Sequence, residues 1–310
     1  MAEFVRYRNL MSDNIRWEGF DFRDDDIVIS TSPKCGTTWT QMLCALLLFR
    51  TADFDRPLTA ISPWLDQQTA NRDDVLAELA SQQHRRFIKT HTPLDGLPYD
   101  ERVTYLCVGR DPRDVAVSMD NHWANMDFEQ VFKVRADAVG NDDLQDVMSS
   151  ASLAQRSDDP VERFRAWVDN DTAPTLVGSS LWAVLNHVDT FWTMRDRANV
   201  TLFHYSDLES DLEGEMARLA DVLHIDIAPE CIHELAPAAR WGAMRSRAAV
   251  VAPNSDIGIF RDLEKFFHSG ESGQWRALLG DDDLVHYEAR VRQLASPELA
   301  HWIHHGYRGA

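Results

Sequence analysis

The stretch Ile27-Val28-Ile29-Ser30-Thr31-Ser32-Pro33-Lys34-Cys35-Gly36-Thr37-Thr38-Trp39 decides how this chain folds. Ile27-Val28-Ile29 reads as a short buried strand, and Thr37 to Phe49 as a helix. The loop between them turns at Gly36 and feeds a helix start. Such a loop aims unpaired backbone N–H groups at one point, with the helix dipole behind them. Thr37 and Thr38 add hydroxyls, so the loop is a P-loop-like cradle for an anion. It is not a Walker A loop: Gly-x-x-x-x-Gly-Lys-Ser/Thr is missing, and Lys34 precedes the glycine instead of following it. Its ammonium is therefore expected at the loop crown, where a bridging oxygen could sit. Cys35 reads as a small residue with no catalytic base to activate it.

Working outward, Phe87-Ile88 reads as a second strand and Val103 to Val108 as a third, followed by a helix from Pro112 to Asn125. Val200 to Tyr205 reads as a further strand, with a helix from Ser206 to Leu223 behind it. Strands separated by helices imply an α/β fold whose central parallel sheet is flanked by helices on both faces. In such sheets ligands sit beyond the carboxyl ends of the strands. The expected organisation is a single domain over 1–310, with a βα core at 25–125. Residues 126–161 are polar and poorly periodic over most of their length and read as a flexible excursion or lid. The rest, 162–310, supplies the remaining helices, a strand and a closing C-terminal segment.

The bulk composition narrows the function. With 44% apolar residues and ten tryptophans, the 310 residues can bury a sizeable core. A net charge of -19, from 31 basic and 50 acidic residues, argues against nucleic acid and anionic membranes as partners. It does not exclude a small anion, because screening confines fields to roughly 8 Å at physiological salt. The four cysteines, Cys35, Cys44, Cys107 and Cys231, lie far apart, forming neither a disulfide framework nor a zinc site. Met1 to Phe20 has no apolar signal core, and the apolar run Met42 to Phe49 is too short for stable membrane insertion. A cytoplasmic location is the expectation, and homo-oligomerisation is left open. Asp24-Asp25-Asp26 and Asp281-Asp282-Asp283 read as solvated turns, and the chain is expected to hold no metal.

Two further segments carry chemistry. In Phe87-Ile88-Lys89-Thr90-His91-Thr92-Pro93-Leu94, His91 falls just past a strand, on the same edge as Lys34. An imidazole with a pKa of about 6.5 is largely neutral at pH 7 and can accept a proton from a hydroxyl. In Val108-Gly109-Arg110-Asp111-Pro112-Arg113-Asp114-Val115-Ala116-Val117-Ser118, Asp111 is a good N-cap and Pro112 suits the first helical position. Arg110 is left at the helix mouth, able to fork onto a phosphate, with Ser118 two turns along. Taken singly, each segment has a bland alternative: a solvated lysine in a βα turn, a structural histidine, a surface arginine.

Together and in this order, the three segments resemble the cytosolic-type sulfotransferases, which use 3′-phosphoadenylyl sulfate (PAPS). The resemblance covers roughly Asp26 to Arg276, and Arg85 to Leu94 and Met244-Arg245-Ser246-Arg247-Ala248 are similar to bacterial glycolipid sulfotransferases. It implies PAPS as donor, 3′-phosphoadenosine 5′-phosphate (PAP) as product, and the hydroxyl of a small molecule or lipid as acceptor. By motif position it makes Lys34 the lysine on the bridging oxygen, His91 the catalytic base and Lys89 the lysine at the sulfuryl oxygens. Cys35, Gly36, Thr37 and Thr38 would line the 5′-phosphate, and Trp39 would stack on the adenine. Arg110 and Ser118 would hold the 3′-phosphate, Tyr205 would lie near the adenine, and Trp241 would be a second stacking aromatic.

One departure stands out. Where the family closes the 3′-phosphate site with Phe-x-Arg-Lys-Gly, this chain has Phe266-Phe267-His268-Ser269-Gly270, followed by Glu271. His268, Ser269 and Gly270 keep the position but not the two basic side chains. Arg240 and Arg245, from the preceding segment, are the candidates to compensate. The sequence leaves two rival readings: a non-catalytic PAP-binding protein with a decayed donor site, and a P-loop-type kinase. Trp64, Phe128 and Trp182 are the candidate acceptor-pocket walls.

Overall fold

The computed structural model describes residues 4–145, 156–268 and 270–308. Four strands, β1 (Ile27–Ser30), β2 (Phe87–Thr90), β3 (Thr104–Gly109) and β4 (Val200–His204), form one parallel sheet in the order β2-β1-β3-β4. The chain leaves β1 towards β2 and later returns to the other side of β1 as β3. The strand order therefore reverses between β1 and β3, and their carboxyl ends open a crevice there.

The helices that frame the sheet and the site include α1 (Thr37–Phe49), α2 (Arg72–Ser81), α3 (Pro112–Asn125), α4 (Phe128–Val139), α5 (Pro160–Val168), α6 (Leu181–Thr193), α7 (Tyr205–Ser210), α8 (Leu212–Val222), α9 (Asp281–Leu294) and α10 (Pro297–His305). The period-two alternation of strand side chains divides the core into two layers. Ile27, Ile29, Leu106, Val108 and Phe203 face α1 and α8, against Met42, Leu43, Leu46, Met216 and Leu219. Val28, Ile88, Cys107 and Leu202 face the other way, against Leu185 and Val188 of α6 and Tyr287 and Val291 of α9. Burial of each such large aliphatic side chain contributes roughly 1.5–3 kcal/mol. The two layers clamp the sheet, so the loops at its carboxyl edge leave from fixed points.

The expected elements are present with small displacements. The third strand runs one residue later than Val103–Val108, and the fourth stops at His204 because Tyr205 already begins α7. The helix expected over Ser206–Leu223 breaks at Asp211. That residue is extended (φ -146°), and its carboxylate accepts the N–H of Gly214 at 3.0 Å, which caps α8.

Each of the two acidic triplets is exposed at its first two residues, as expected, but not at its third. Asp26 is buried and pairs with the buried Arg86, and Asp283 is buried, accepts the Gly280 N–H at 3.0 Å and pairs with Arg165 at 2.6 Å. Residues 128–139 of the expected excursion form α4, anchored by the buried Val131 and Arg135. Its portion at 146–155 lies outside the described residues. Among the described residues, no helix is long and apolar enough to cross a membrane.

Candidate active site

β1 and β2 pair Ser30 with Thr90, so Thr31 and His91 leave the sheet side by side. The His91 ring turns back, and its Nδ1 lies 2.8 Å from the Thr31 carbonyl oxygen. A carbonyl only accepts, so Nδ1 carries the hydrogen and Nε2 is left as the basic nitrogen. Burial, reinforced by the nearby Lys89 charge, holds this imidazole well below its ordinary pKa and keeps it neutral. Trp64 meets the ring edge-on at 4.9 Å and also lies 4.3 Å beneath the Lys89 ammonium.

The same logic operates across the switch point. β3 and β4 pair Gly109 with His204, so Arg110 and Tyr205 emerge together, the guanidinium 4.0 Å over the phenol ring. Arg110 Nη1 donates to the Lys34 carbonyl at 3.0 Å, which ties the helix mouth to the phosphate-loop crown. Its Nε is buried and has no protein partner. Trp39 meets Tyr205 edge-on at 5.1 Å.

In the first loop Lys34 and Gly36 both take positive φ, 68° and 104°. The Lys34 turn stores some strain, and Gly36 removes it from the next tight position. A Cβ at Gly36 would sit 3.3 Å from the Tyr205 ring. No side chain caps α1 at Gly36, so the N–H groups of its first turn remain open to a ligand. Thr31 and Thr37 share a 2.5 Å hydroxyl contact. The Lys34 ammonium lies 4.2 Å above the Phe266 ring, and burial together with the Arg110 and Lys89 charges lowers its pKa to about 7. Burial lowers Lys89 to about 8, against the opposing pull of Asp66.

All of this opens into one cavity of about 720 Å³. Lys34, Gly36, Thr37, Thr38, Trp39, Lys89, His91, Arg110, Ser118, Tyr205, Trp241, His268 and Gly270 line it. Cys35 does not. Its side chain is buried with Val115 and Val184, its N–H donates to the Ser32 carbonyl at 3.2 Å, and burial raises its thiol pKa to about 12. Ser269 lies outside the described residues. Gly270 presses on Trp241 so closely that a Cβ would come within 2.2 Å of the indole. Arg240 lines the cavity; Arg245 instead faces Glu264 at 3.6 Å. Of the expected acceptor walls, Trp64 and Phe128 line the cavity and Trp182 is not among the lining residues.

Two residues escaped the sequence reading. Asp66, fully buried, accepts from Trp17 Nε1 (3.1 Å), Trp64 Nε1 (2.6 Å), Thr90 Oγ1 (2.6 Å) and Thr92 Oγ1 (2.6 Å). It thereby fixes the end of β2 and the Trp64 platform under Lys89 and His91. His122, one turn beyond Ser118 on α3, also faces the cavity. Neither had a signal in sequence, because a lone Asp in a loop and a lone His on a helix show no partners there.

A central parallel sheet, a phosphate-type loop on its switch point and a neutral histidine beside it define the chain as a group-transfer enzyme of the sulfotransferase class. The family model for the sulfotransferase domain matches residues 24–296. The chain belongs to the sulfotransferase family and is a PAPS-dependent sulfotransferase. Among relatives, it is 44% identical over 319 aligned positions to a glycolipid sulfotransferase of Mycobacterium bovis (strain BCG / Pasteur 1173P2), covering 100% of this chain and 97% of that one. It is likewise 44% identical over 317 positions to a glycolipid sulfotransferase of Mycobacterium tuberculosis (strain ATCC 25177 / H37Ra), with the same coverage of 100% and 97%. Among solved structures, retinol dehydratase in complex with androsterone and inactive cofactor PAP superposes with a TM-score of 0.68 at 21% identity, covering 91% of this chain and 86% of that one.

Proposed function

We propose that the enzyme transfers the sulfuryl group of PAPS to a hydroxyl of an amphipathic lipid, a glycolipid being the favoured acceptor. The observation that supports this most is the closeness of Lys34, His91 and Arg110 on one cavity: Arg110 is hydrogen-bonded to the Lys34 carbonyl, and the Lys34 charge bears on His91. The residues suit the donor. The open N–H groups of α1 and the Thr37 and Thr38 hydroxyls suit its 5′-phosphate, and the orphaned Arg110 Nε with Ser118 suits its 3′-phosphate. Trp39, Tyr205 and Trp241 form an aromatic surround for the adenine. His268 and the Gly270 N–H close the site, with Arg240 as the cation that replaces the missing basic pair.

PAPS supplies an activated sulfuryl group whose leaving group is a phosphate, so the protein's tasks are positioning, proton removal and charge stabilisation. His91 Nε2 takes the acceptor proton, Lys34 stabilises charge on the departing oxygen, and Lys89 faces the sulfuryl oxygens. Beyond them the cavity is apolar, walled by Leu10, Met126, Phe128, Ile259 and Phe260, which suits a lipid-like acceptor. The four free, separated cysteines suit a reducing, cytoplasmic compartment.

Incubation with ³⁵S-labelled PAPS and a panel of lipids and phenols tests this reading, and label is expected in an organic product. Lys34→Ala should lower kcat by about 10²–10³, the scale of one lost preorganised donor. His91→Ala should lower it by about 10²–10⁴, the range of general-base catalysis. PAP binding without any labelled product would leave a non-catalytic binding protein instead.

A further inference from the structure

His122 lines the cavity and plays no part in the proposed reaction. His122 follows Ser118 by one turn of α3 and so shares its face, looking into the cavity. Phe260 lies 5.3 Å from its ring and Phe266 5.9 Å. The ring is half-buried, and among the described residues its Nδ1 is sealed off without a hydrogen-bond partner, which leaves Nε2 as the nitrogen able to meet a ligand. Burial, then the charges of Lys34 and Lys89, hold the ring well below the usual histidine pKa, so it is neutral and stands close to the reacting groups.

A neutral imidazole brings one donor and one acceptor. His91 differs because the Thr31 carbonyl fixes its tautomer; among the described residues no carbonyl or carboxylate holds His122 Nδ1. That makes His122 a poor second base. It is suited instead to exchanging a hydrogen bond at Nε2 with a polar group that arrives with the ligand. On the same wall Trp123 and Phe128 stack at 5.3 Å with 28° between their planes, and both line the cavity. This flat aromatic surface beside a lone hydrogen-bonding ring matches a molecule with an apolar face and hydroxyls at its edge.

We propose that His122 is a specificity-determining contact which binds a hydroxyl next to the one that is sulfated, so that the acceptor presents a polyhydroxylated, sugar-type head group and not a lone alcohol or phenol. This rests on the reading of the apolar half as the acceptor site. A site built to hydrogen-bond a substrate hydroxyl discriminates strongly against analogues that lack it.

The test compares n-octyl β-D-glucoside with n-octanol as acceptors for labelled PAPS. Wild-type enzyme should favour the glucoside in kcat/KM. In His122→Phe the glucoside-to-octanol ratio of kcat/KM should fall by about 10–100-fold, and His122→Gln, which keeps a donor and an acceptor, should recover part of it. PAP titration of each variant reports that it is folded. An unchanged ratio in folded His122→Phe, or a wild type that prefers octanol, overturns the proposal while leaving the sulfotransferase reading intact. A wild type that labels no lipid or phenol fails that broader reading instead.

Discussion

Lys34 and Lys89 meet at the reacting end without a carboxylate directly against either ammonium; their close companions are the Phe266 and Trp64 rings. Burial is the main reason that they deprotonate early, Lys34 at about 7 and Lys89 at about 8. A bound polyphosphorylated nucleotide favours the ammonium form and lifts both values. Between the free and bound pKa, the free protein has lost a proton that the complex retains, so binding takes up protons and weakens as pH rises. PAP affinity should therefore fall by several-fold or more from pH 7 to pH 9, a range in which phosphate groups with a second pKa of about 6 stay fully charged. Titration at pH 7, 8 and 9 checks this, and Lys34→Arg, which cannot lose its proton there, should flatten the profile. A pH-independent affinity in the wild type would refute the coupling. At this scale the sequence was uneven. That Lys34, His91 and Arg110 share one edge was legible because each follows a strand. Asp66 was not, because its four donors come from Trp17, Trp64, Thr90 and Thr92, which only the fold assembles.

At the scale of elements, strand register delivers the side chains. The Ser30–Thr90 pair sets Thr31 beside His91, and the Gly109–His204 pair sets Arg110 beside Tyr205. The hydrophobic pattern located these strands to within two residues. The break at Asp211 was hidden because an Asp cap inside a run of helix formers reads like another helical position. The closing segment carries two predictions. Gly270 has φ +67° and abuts Trp241, so Gly270→Ala strains the backbone and must displace the indole. PAP affinity should weaken by about tenfold, the equivalent of ~1.4 kcal/mol, while the thermal midpoint of the ligand-free protein moves little; calorimetry reads both. Arg240 lines the cavity whereas Arg245 is turned to Glu264. Arg240→Ala should thus lower PAP affinity and Arg245→Ala should change it much less. The reverse order would move the compensating cation.

Over the whole molecule, one reversal of strand order does most of the functional work. It opens the crevice between β1 and β3, brings the α1 and α3 N-termini to its rim, and leaves Lys34, His91 and Arg110 on an edge that two apolar layers hold rigid. The apolar wall of the cavity is built differently. Leu10, Met126, Val131, Ile259 and Phe260 form a third apolar cluster that draws on the N-terminal segment, the start of α4 and the 259–260 segment. Those pieces are far apart in sequence and individually unremarkable, so the cavity rim at the sheet edge was readable in advance and this apolar wall was not. With a net charge of -19 over the whole chain, the local concentration of Lys34, Lys89 and Arg110 is the more consequential for an anion.

Titration calorimetry with PAP on the wild type, Lys34→Ala and Arg110→Ala tests the central claim, that these groups surround one sulfated nucleotide. The wild type should give saturable, single-site heat, and each variant should bind about 10–100-fold more weakly, the effect of losing charge-assisted bonds to phosphate. No heat from the wild type at millimolar PAP, or equal affinity in all three proteins, would contradict it.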